Sequence, residues 1–412
     1  MGVSLEVNAI YEGDNLEIMA KFQEGSVDFI YADPPFFSNK QYEVIWKDKA
    51  EVRSFEDRWE GGIEHYITWM EPRLRECYKI LKNTGSMYLH CDYHADAHLR
   101  ILMDKIFGSD RFLAEIIWNK GFRGTEQKDN YQHAHDTILV YTKSKKYVWN
   151  DQFQEYADTG MKRYNKIDEA GKKYALIKRR HTDGTVYYGK TYPKPEGKRI
   201  NDVIDLPTMA ATSSERLGYP TQKPVALIEK FIAASSKKGD IIFDPFCGCG
   251  TVLVAAQKLE RRWIGVDISP TACKLMYKRL KREFNINAQL IRGEVDLNYV
   301  KKLAPFEFQN WVVVDKFYGT VSKTKSGDFG VDGFTAQIHG GFPIQVKQSE
   351  DVGRNVIDNF ETAMRRLNKT KGYVVALSFG RGAVEGAAEA KNNRGIDIIL
   401  RTAQDLLDGK IE

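Results

Sequence analysis

Cysteine is scarce: the 412 residues hold five. That is too few for the disulfide framework of a secreted domain, and the expected compartment is a reducing cytoplasm. Long hydrophobic runs are missing as well. No apolar stretch reaches the roughly 18–20 residues a membrane span needs, so no membrane partner is expected. The opening MGVSLEVNAIYEGDN has no basic segment followed by an apolar one, so no secretory signal is expected. There is no internal repeat and no long low-complexity tract, which excludes a solenoid. A strong charge of one sign is also absent: 61 Lys and Arg against 56 Asp and Glu leave a formal +5. The remaining composition, 42% hydrophobic and 28% charged, is that of a soluble globular protein. The length is too great for one core and suits two or three domains.

The small positive excess is concentrated. Between Lys143 and Asp205, 15 Lys and Arg accompany 9 Asp and Glu, and nine Tyr, Trp and Phe are interleaved. Phosphates attract cations and unstacked bases attract flat rings, so this window reads as a nucleic-acid-contacting surface. The plainer alternative is a solvated face over small satellite cores.

Residues 1–143 alternate buried-strand runs (Ser26–Ala32, Gly85–His90, Thr137–Thr142) with a helical pattern over Tyr66–Leu81. The pattern fades over 144–215, which reads as an inserted recognition region. It returns over 216–285 with a helix at Pro224–Ala234, a strand at Asp240–Asp244, a helix at Gly250–Leu259, a strand at Arg262–Asp267 and a helix at Pro270–Phe284. Residues 286–302 read as a linker, and 303–412 as a separate smaller α/β unit. Alternating strands and helices predict a parallel, doubly wound sheet.

Two strand ends carry chemistry. After SVDFIYA comes Asp33-Pro34-Pro35-Phe36. Open α/β sheets place ligands at the carboxyl ends of their strands. The exocyclic amine of a base is a poor nucleophile because its lone pair is delocalised. Asp33 and the Pro34 carbonyl can accept its two N–H groups, the prolines stiffen the loop, and Phe36 offers a stacking face for a flipped base. The alternative is a plain strand-ending turn. The second motif is Asp244-Pro245-Phe246-Cys247-Gly248-Cys249-Gly250-Thr251 between a strand and a helix, followed by Asp267 at the end of the next strand. Glycines there let a ligand approach the helix N-terminus, and a later acid can bind ribose hydroxyls, so the pair suggests an adenosine-bearing cofactor. Tight packing without a ligand would account for either piece singly. A metal cluster of His90, His94 and His98 with Cys91, Asp92 and Asp96 is not expected, nor zinc at Cys247 and Cys249, which lack a second pair at the right spacing.

FDPFCGCGT, GVDIS and an earlier DPPF, in this order, resemble the circularly permuted β class of S-adenosylmethionine-dependent DNA amino-methyltransferases. The resemblance spans residues 5–285. It implies a Rossmann-like sheet, S-adenosylmethionine as cofactor, and methyl transfer to N6 of adenine by direct displacement. It places Asp33, Pro34, Pro35 and Phe36 in catalysis. It places Asp244, Phe246, Gly248, Gly250, Thr251 and Asp267 around the cofactor, with Asp14 in the loop meeting its adenine. Lys223 lies in Tyr219–Pro224, which is similar to the segment closing over the cofactor's methionine end.

Residues 303–412 carry Gly330-Val331-Asp332-Gly333 and then Pro343-Ile344-Gln345-Val346-Lys347. An Asp ahead of a strand bearing Gln-x-Lys sets two oxygen ligands and an ammonium on one edge, which suits Mg²⁺-assisted phosphodiester cleavage, with Asp332 and Gln345 on the metal and Lys347 at the phosphate. This resembles the Mrr-like branch of the PD-(D/E)XK nuclease fold. Such domains carry an upstream helical Glu, and here FEFQNW offers Glu307 or Gln309 in that place. The whole chain is expected to be a DNA-modification protein with a nuclease-like tail, with a second copy of itself as a candidate partner in a homodimer. The alternatives are N4-cytosine methylation, a nuclease regulated by S-adenosylmethionine, and a DNA-binding protein without catalysis.

Overall fold

The structure, a computed structural model, describes residues 6–37, 62–121, 131–156, 158–210, 212–217, 221–293, 295–322 and 330–411, together with the backbone alone of 41–45, 52–56 and 158–159. Its centre is a nine-stranded sheet in the order Val203–Asp205, Phe112–Asn119, His135–Thr142, Leu81–Cys91, Val27–Ala32, Ile241–Asp244, Arg262–Asp267, Ala9–Glu12, Gln289–Arg292. All neighbours are parallel except His135–Thr142, which runs antiparallel to both of its neighbours. The sheet is therefore mixed rather than purely parallel. The connection through residues 120–134 carries no crossover helix among its described residues, and an antiparallel return needs none.

VDFIYA and IIFD are near-continuous apolar runs because both faces of the sheet are covered. One face packs on Met19, Tyr66, Met70, Leu74, Leu99 and Met103. The other packs on Leu227, Phe231, Leu253, Met276 and Leu280. The helix Gly62–Ile80 buries Tyr66, Met70, Arg73, Leu74, Cys77 and Ile80, the stripe expected of a 3.6-residue repeat. The helix Pro270–Phe284 starts as read from sequence: the Ser269 side chain accepts the Ala272 N–H, and proline occupies the first turn.

Residues 286–302 do more than link. Gln289–Arg292 pairs in parallel with Ala9–Glu12 as the last strand of the sheet. The helix Leu297–Lys302 then buries Val300 in the core of the C-terminal unit. The basic, aromatic window forms an exposed antiparallel hairpin, Lys173–Arg180 with Val186–Thr191, flanked by Lys166–Ile167. The C-terminal unit is a five-stranded sheet, Thr320–Val321, Gly333–Phe334, Pro343–Lys347, Lys371–Ala376, Asp397–Thr402, with the last three parallel. Arg354–Arg366 and Arg381–Arg394 pack on one face and Phe308, Trp311 and Leu406 on the other. Among the described residues no helix is long and apolar enough to cross a membrane.

Phe243 is fully buried at the middle of the main sheet, with Phe22 edge-on at 5.7 Å. Phe243→Ala is expected to cost about 3–5 kcal/mol, read as a lower urea midpoint. A loss below about 1 kcal/mol would mean the strand is not central to the core.

Candidate active site

Strands Val27–Ala32 and Ile241–Asp244 are parallel neighbours, with Phe29 opposite Ile242 and Ile30 opposite Phe243. Their carboxyl ends therefore emerge side by side. The loop of Asp33–Phe36 and the loop of Asp244–Gly250 line one cavity of about 270 Å³ with Asp14, Arg73, Lys223, Thr251 and Asp267. All twelve residues expected for catalysis and cofactor binding border this cavity or its entrance turn at Gly250, which takes a left-handed φ of 77° to start the helix Thr251–Lys258. A side chain at Gly250 would also press on Met276, so glycine is needed there twice over.

The charges are arranged tightly. Asp33 Oδ2 accepts from the Lys223 ammonium at 2.5 Å, and Lys223 also lies 4.8 Å from the Phe36 ring centre. Asp33 Oδ1 is buried and has no hydrogen-bond partner among the described residues. Lys223, expected in the segment closing over the cofactor's methionine end, thus also meets Asp33. Tyr219 and Pro220 of the same segment lie outside the described residues. Burial pushes the Asp244 carboxyl well above the usual range, and the nearby charges of Asp33 and Asp267 add to this. Burial also pushes Asp267 up to about 6, against hydrogen bonds from the Ser269 and Gly248 N–H groups at 2.9 and 2.7 Å. Asp14 caps the helix Asn15–Met19 and pairs with Arg73 at 3.0 Å.

Behind Asp33 runs a buried polar chain. Burial lowers the His90 pKa, and the Lys223 charge lowers it further, so the ring is neutral. Asp136 can only accept, so His90 Nε2 carries the proton and donates to it at 3.2 Å. His90 Nδ1 is then the acceptor for the Tyr31 hydroxyl at 2.6 Å. Burial opposes the Asp136 carboxylate, but the His90 hydrogen bond and the ammonium of Lys120, at 2.5 Å, hold its pKa well below the ordinary value. Phe36 leans on the His90 ring at 5.3 Å. His94 pairs with Asp92. Among the described residues no group of three or more His, Cys, Asp or Glu is placed to hold a metal ion.

The family model for DNA methylases matches residues 27–278, the span that holds both loops. The chain belongs to the DNA methylase family. A second family model, for restriction endonucleases, matches residues 300–408. Among curated relatives of this methylase, the DNA adenine methyltransferase YhdJ of Escherichia coli (strain K12) is 30% identical over 282 residues, 67% of this chain and 83% of its own. The type II methyltransferase M.EcaI of Enterobacter cloacae is 28% identical over 315 residues, 66% and 68% of the two chains. Among solved structures, PvuII DNA methyltransferase (cytosine-N4-specific) is 15% identical with a TM-score of 0.43, covering 69% of this chain and 94% of that one.

In the methylase's C-terminal unit, Asp332, Gln345 and Lys347 come together. Asp332 N–H donates to the Ile344 carbonyl at 2.8 Å, and Asp332 Oδ2 accepts from Val346 N–H at 2.7 Å. Gln345 and Lys347 alternate onto one face of their strand. Gln345 is buried, and its Oε1 has no hydrogen-bond partner among the described residues. Of the two residues left open upstream, Gln309 faces this unit: its Nε2 donates to the Asp332 carbonyl at 2.9 Å. Glu307 faces the other way and accepts from Ser269 Oγ at 2.5 Å on the wall of the methylase cavity.

Sequence reading missed several lining or supporting residues. Arg73 is 7% exposed, donates to Asn15 Oδ1 at 2.9 Å and lies 3.9 Å from the Trp69 ring centre. Its signal was available, because a cation sat at a core-facing spacing between Tyr66, Met70 and Cys77. The Tyr31–His90–Asp136 chain had no such signal, since its members come from three separate strands.

Breaking the Lys223–Asp33 pair leaves a buried carboxylate uncompensated. Lys223→Met is expected to destabilise the methylase by about 3–5 kcal/mol in chemical denaturation. Adding Asp33→Asn should recover most of that loss. If the two substitutions proved additive, the pair would not be coupled.

Proposed function

We propose that this methylase transfers a methyl group from S-adenosylmethionine to N6 of adenine in DNA. One observation carries the reading: Asp33, whose buried Oδ1 has no hydrogen-bond partner among the described residues, lines the same cavity as the glycine turn and Asp267. The donor set fits that cofactor. Asp267 ends a strand where ribose hydroxyls are commonly bound, and the glycine turn admits a ligand to the backbone. Acids outnumber the lining cations Arg73 and Lys223, which suits a positively charged ligand.

S-adenosylmethionine, when bound, supplies an electrophilic methyl on a cationic sulfur. The chain's own residues do the rest by position and charge. The Asp33 carboxylate accepts one N–H of the target amine and the Pro34 carbonyl the other, which drives the nitrogen lone pair out of conjugation. Asp33 is then the nearest acceptor for the proton the amine sheds. Phe36, braced by the neutral His90 ring, presents a face to the flipped base. The exposed hairpin sets Lys178, Arg179, Arg180 and Lys190 beside Tyr187 and Tyr188, the mixture a DNA surface needs. The kinship with YhdJ, a DNA adenine methyltransferase by name, supports adenine as the target base.

The C-terminal unit supports a second activity, Mg²⁺-dependent DNA cleavage. Gln345 Oε1, a buried acceptor with no hydrogen-bond partner among the described residues, on the strand whose Val346 N–H the Asp332 carboxylate accepts, is what a cation site would contain. Asp332 and Gln345 would hold the ion, and Lys347 would stabilise the charged phosphate.

Incubation of the chain with DNA and methyl-labelled S-adenosylmethionine should put label in N6-methyladenine. Label in N4-methylcytosine instead would overturn the choice of base. Asp33→Ala should lower transfer by at least about 10³-fold while cofactor affinity stays within about threefold. Equal loss of both would remove Asp33 from the amine-binding role.

The raised pKa of Asp267 makes a pH prediction. Its carboxyl group accepts a pair of hydroxyls strongly when ionised and turns one oxygen into a donor when protonated, so cofactor affinity should fall as pH drops through about 6. From pH 7 to 5 the expected loss is roughly tenfold. Asp267→Asn should bind more weakly and flatten this dependence in titration calorimetry. A wild-type affinity constant down to pH 4.5 would contradict it.

A further inference from the structure

The cavity is not built by the methylase body alone. Ala304 and Glu307, both from the C-terminal unit, line it next to Asp267, Ile268 and Ser269. Glu307 is fixed there by Ser269 Oγ at 2.5 Å, the same side chain that caps the helix Pro270–Phe284. The two units are clamped around this point. Tyr299 donates to Glu12 at 3.3 Å, Lys302 pairs with Glu17 at 2.7 Å, and Lys274 pairs with Asp315.

We infer that the nuclease-like unit completes the cofactor pocket, with Glu307 a cofactor-binding residue for the adenosine half. This rests on the reading of the cavity as the S-adenosylmethionine site. The chemistry selects the half. A carboxylate only accepts hydrogen bonds, and the adenosine half offers donors in its ribose hydroxyls and exocyclic amine. The carboxylate of the methionine half would be repelled. Glu307 also sits beside Asp267, at the end of the cavity where the ribose-binding acid lies.

The placement of Glu307 gives the nuclease-like unit a direct sense of cofactor occupancy. Glu307 and Gln309 lie two residues apart on the helix Pro305–Asn310, so they point to nearly opposite sides. Glu307 reaches the cofactor cavity, Phe308 is buried in the C-terminal core, and Gln309 holds the Asp332 carbonyl of the candidate cleavage site. The helix then passes into a π-helical turn over Trp311–Lys316, a geometry that recurs at functional sites. A ligand gripping Glu307 therefore steadies the same helix that supports Asp332, and the coupling is reciprocal.

The test uses the full chain and S-adenosylmethionine. In titration calorimetry, Glu307→Ala should weaken binding about tenfold, and Glu307→Gln should weaken it less, because its amide oxygen still accepts a hydrogen bond, though a poorer one than a carboxylate. Hydrogen exchange of wild-type residues 305–316 should slow at least about fivefold on saturation with S-adenosylmethionine, and the slowing should be lost in Glu307→Ala. The wild-type half of this second measurement needs no variant to fold. Wild-type binding with no change in exchange, and variant affinities within twofold of wild type, would overturn the inference while leaving the methylase reading intact. No binding by the wild-type chain at all would overturn both.

Discussion

Everything at the active site depends on two strands lying side by side. Val27–Ala32 and Ile241–Asp244 are more than two hundred residues apart in sequence, yet they pair in parallel at the middle of the sheet. Parallel pairing puts both carboxyl ends on the same edge, where the Asp33 loop and the glycine turn share a cavity. A slip by one residue would turn buried Phe243 toward the other face and carry Asp244 with it. The apolar runs on both faces hold the register, and the chemistry inherits its precision from them.

That convergence has an electrostatic cost. Asp33, Asp244 and Asp267 meet in a space largely closed to water, and burial raises the pKa of the latter two. Lys223 offsets part of the cost at Asp33, and backbone N–H groups offset part at Asp244 and Asp267. The acidity that remains suits a cationic methyl donor. The neutral His90 ring, locked between Tyr31 and Asp136, stiffens the wall on which Phe36 rests without adding charge to it.

The C-terminal unit is joined to the methylase body rather than strung from it. Gln289–Arg292 finishes the main sheet, and the next helix already belongs to the second core. The link is short because the chain passes directly from one core to the other. This closeness brings Glu307 to the cofactor cavity and lets one short helix border two sites of different chemistry.

Much of this was legible in the residue order. The strands VDFIYA, IIFD and RWIGVD, the Ser269 cap and the glycine turn follow from local apolar patterning and backbone chemistry, which act over a few residues. The DPPF and FDPFCGCGT loops declared their chemistry in the same local way. Sequence could not decide what depends on contacts between distant segments. It left the upstream acidic place open between Glu307 and Gln309, and only the packing of the two units turned the first toward the cofactor and the second toward Asp332. It set Lys223 by segment likeness, and the fold paired it with Asp33. The antiparallel strand His135–Thr142, the buried Arg73 and the Tyr31–His90–Asp136 chain belong to the same class. Their partners are brought together by long-range strand order and core packing, which the local pattern of one segment does not encode.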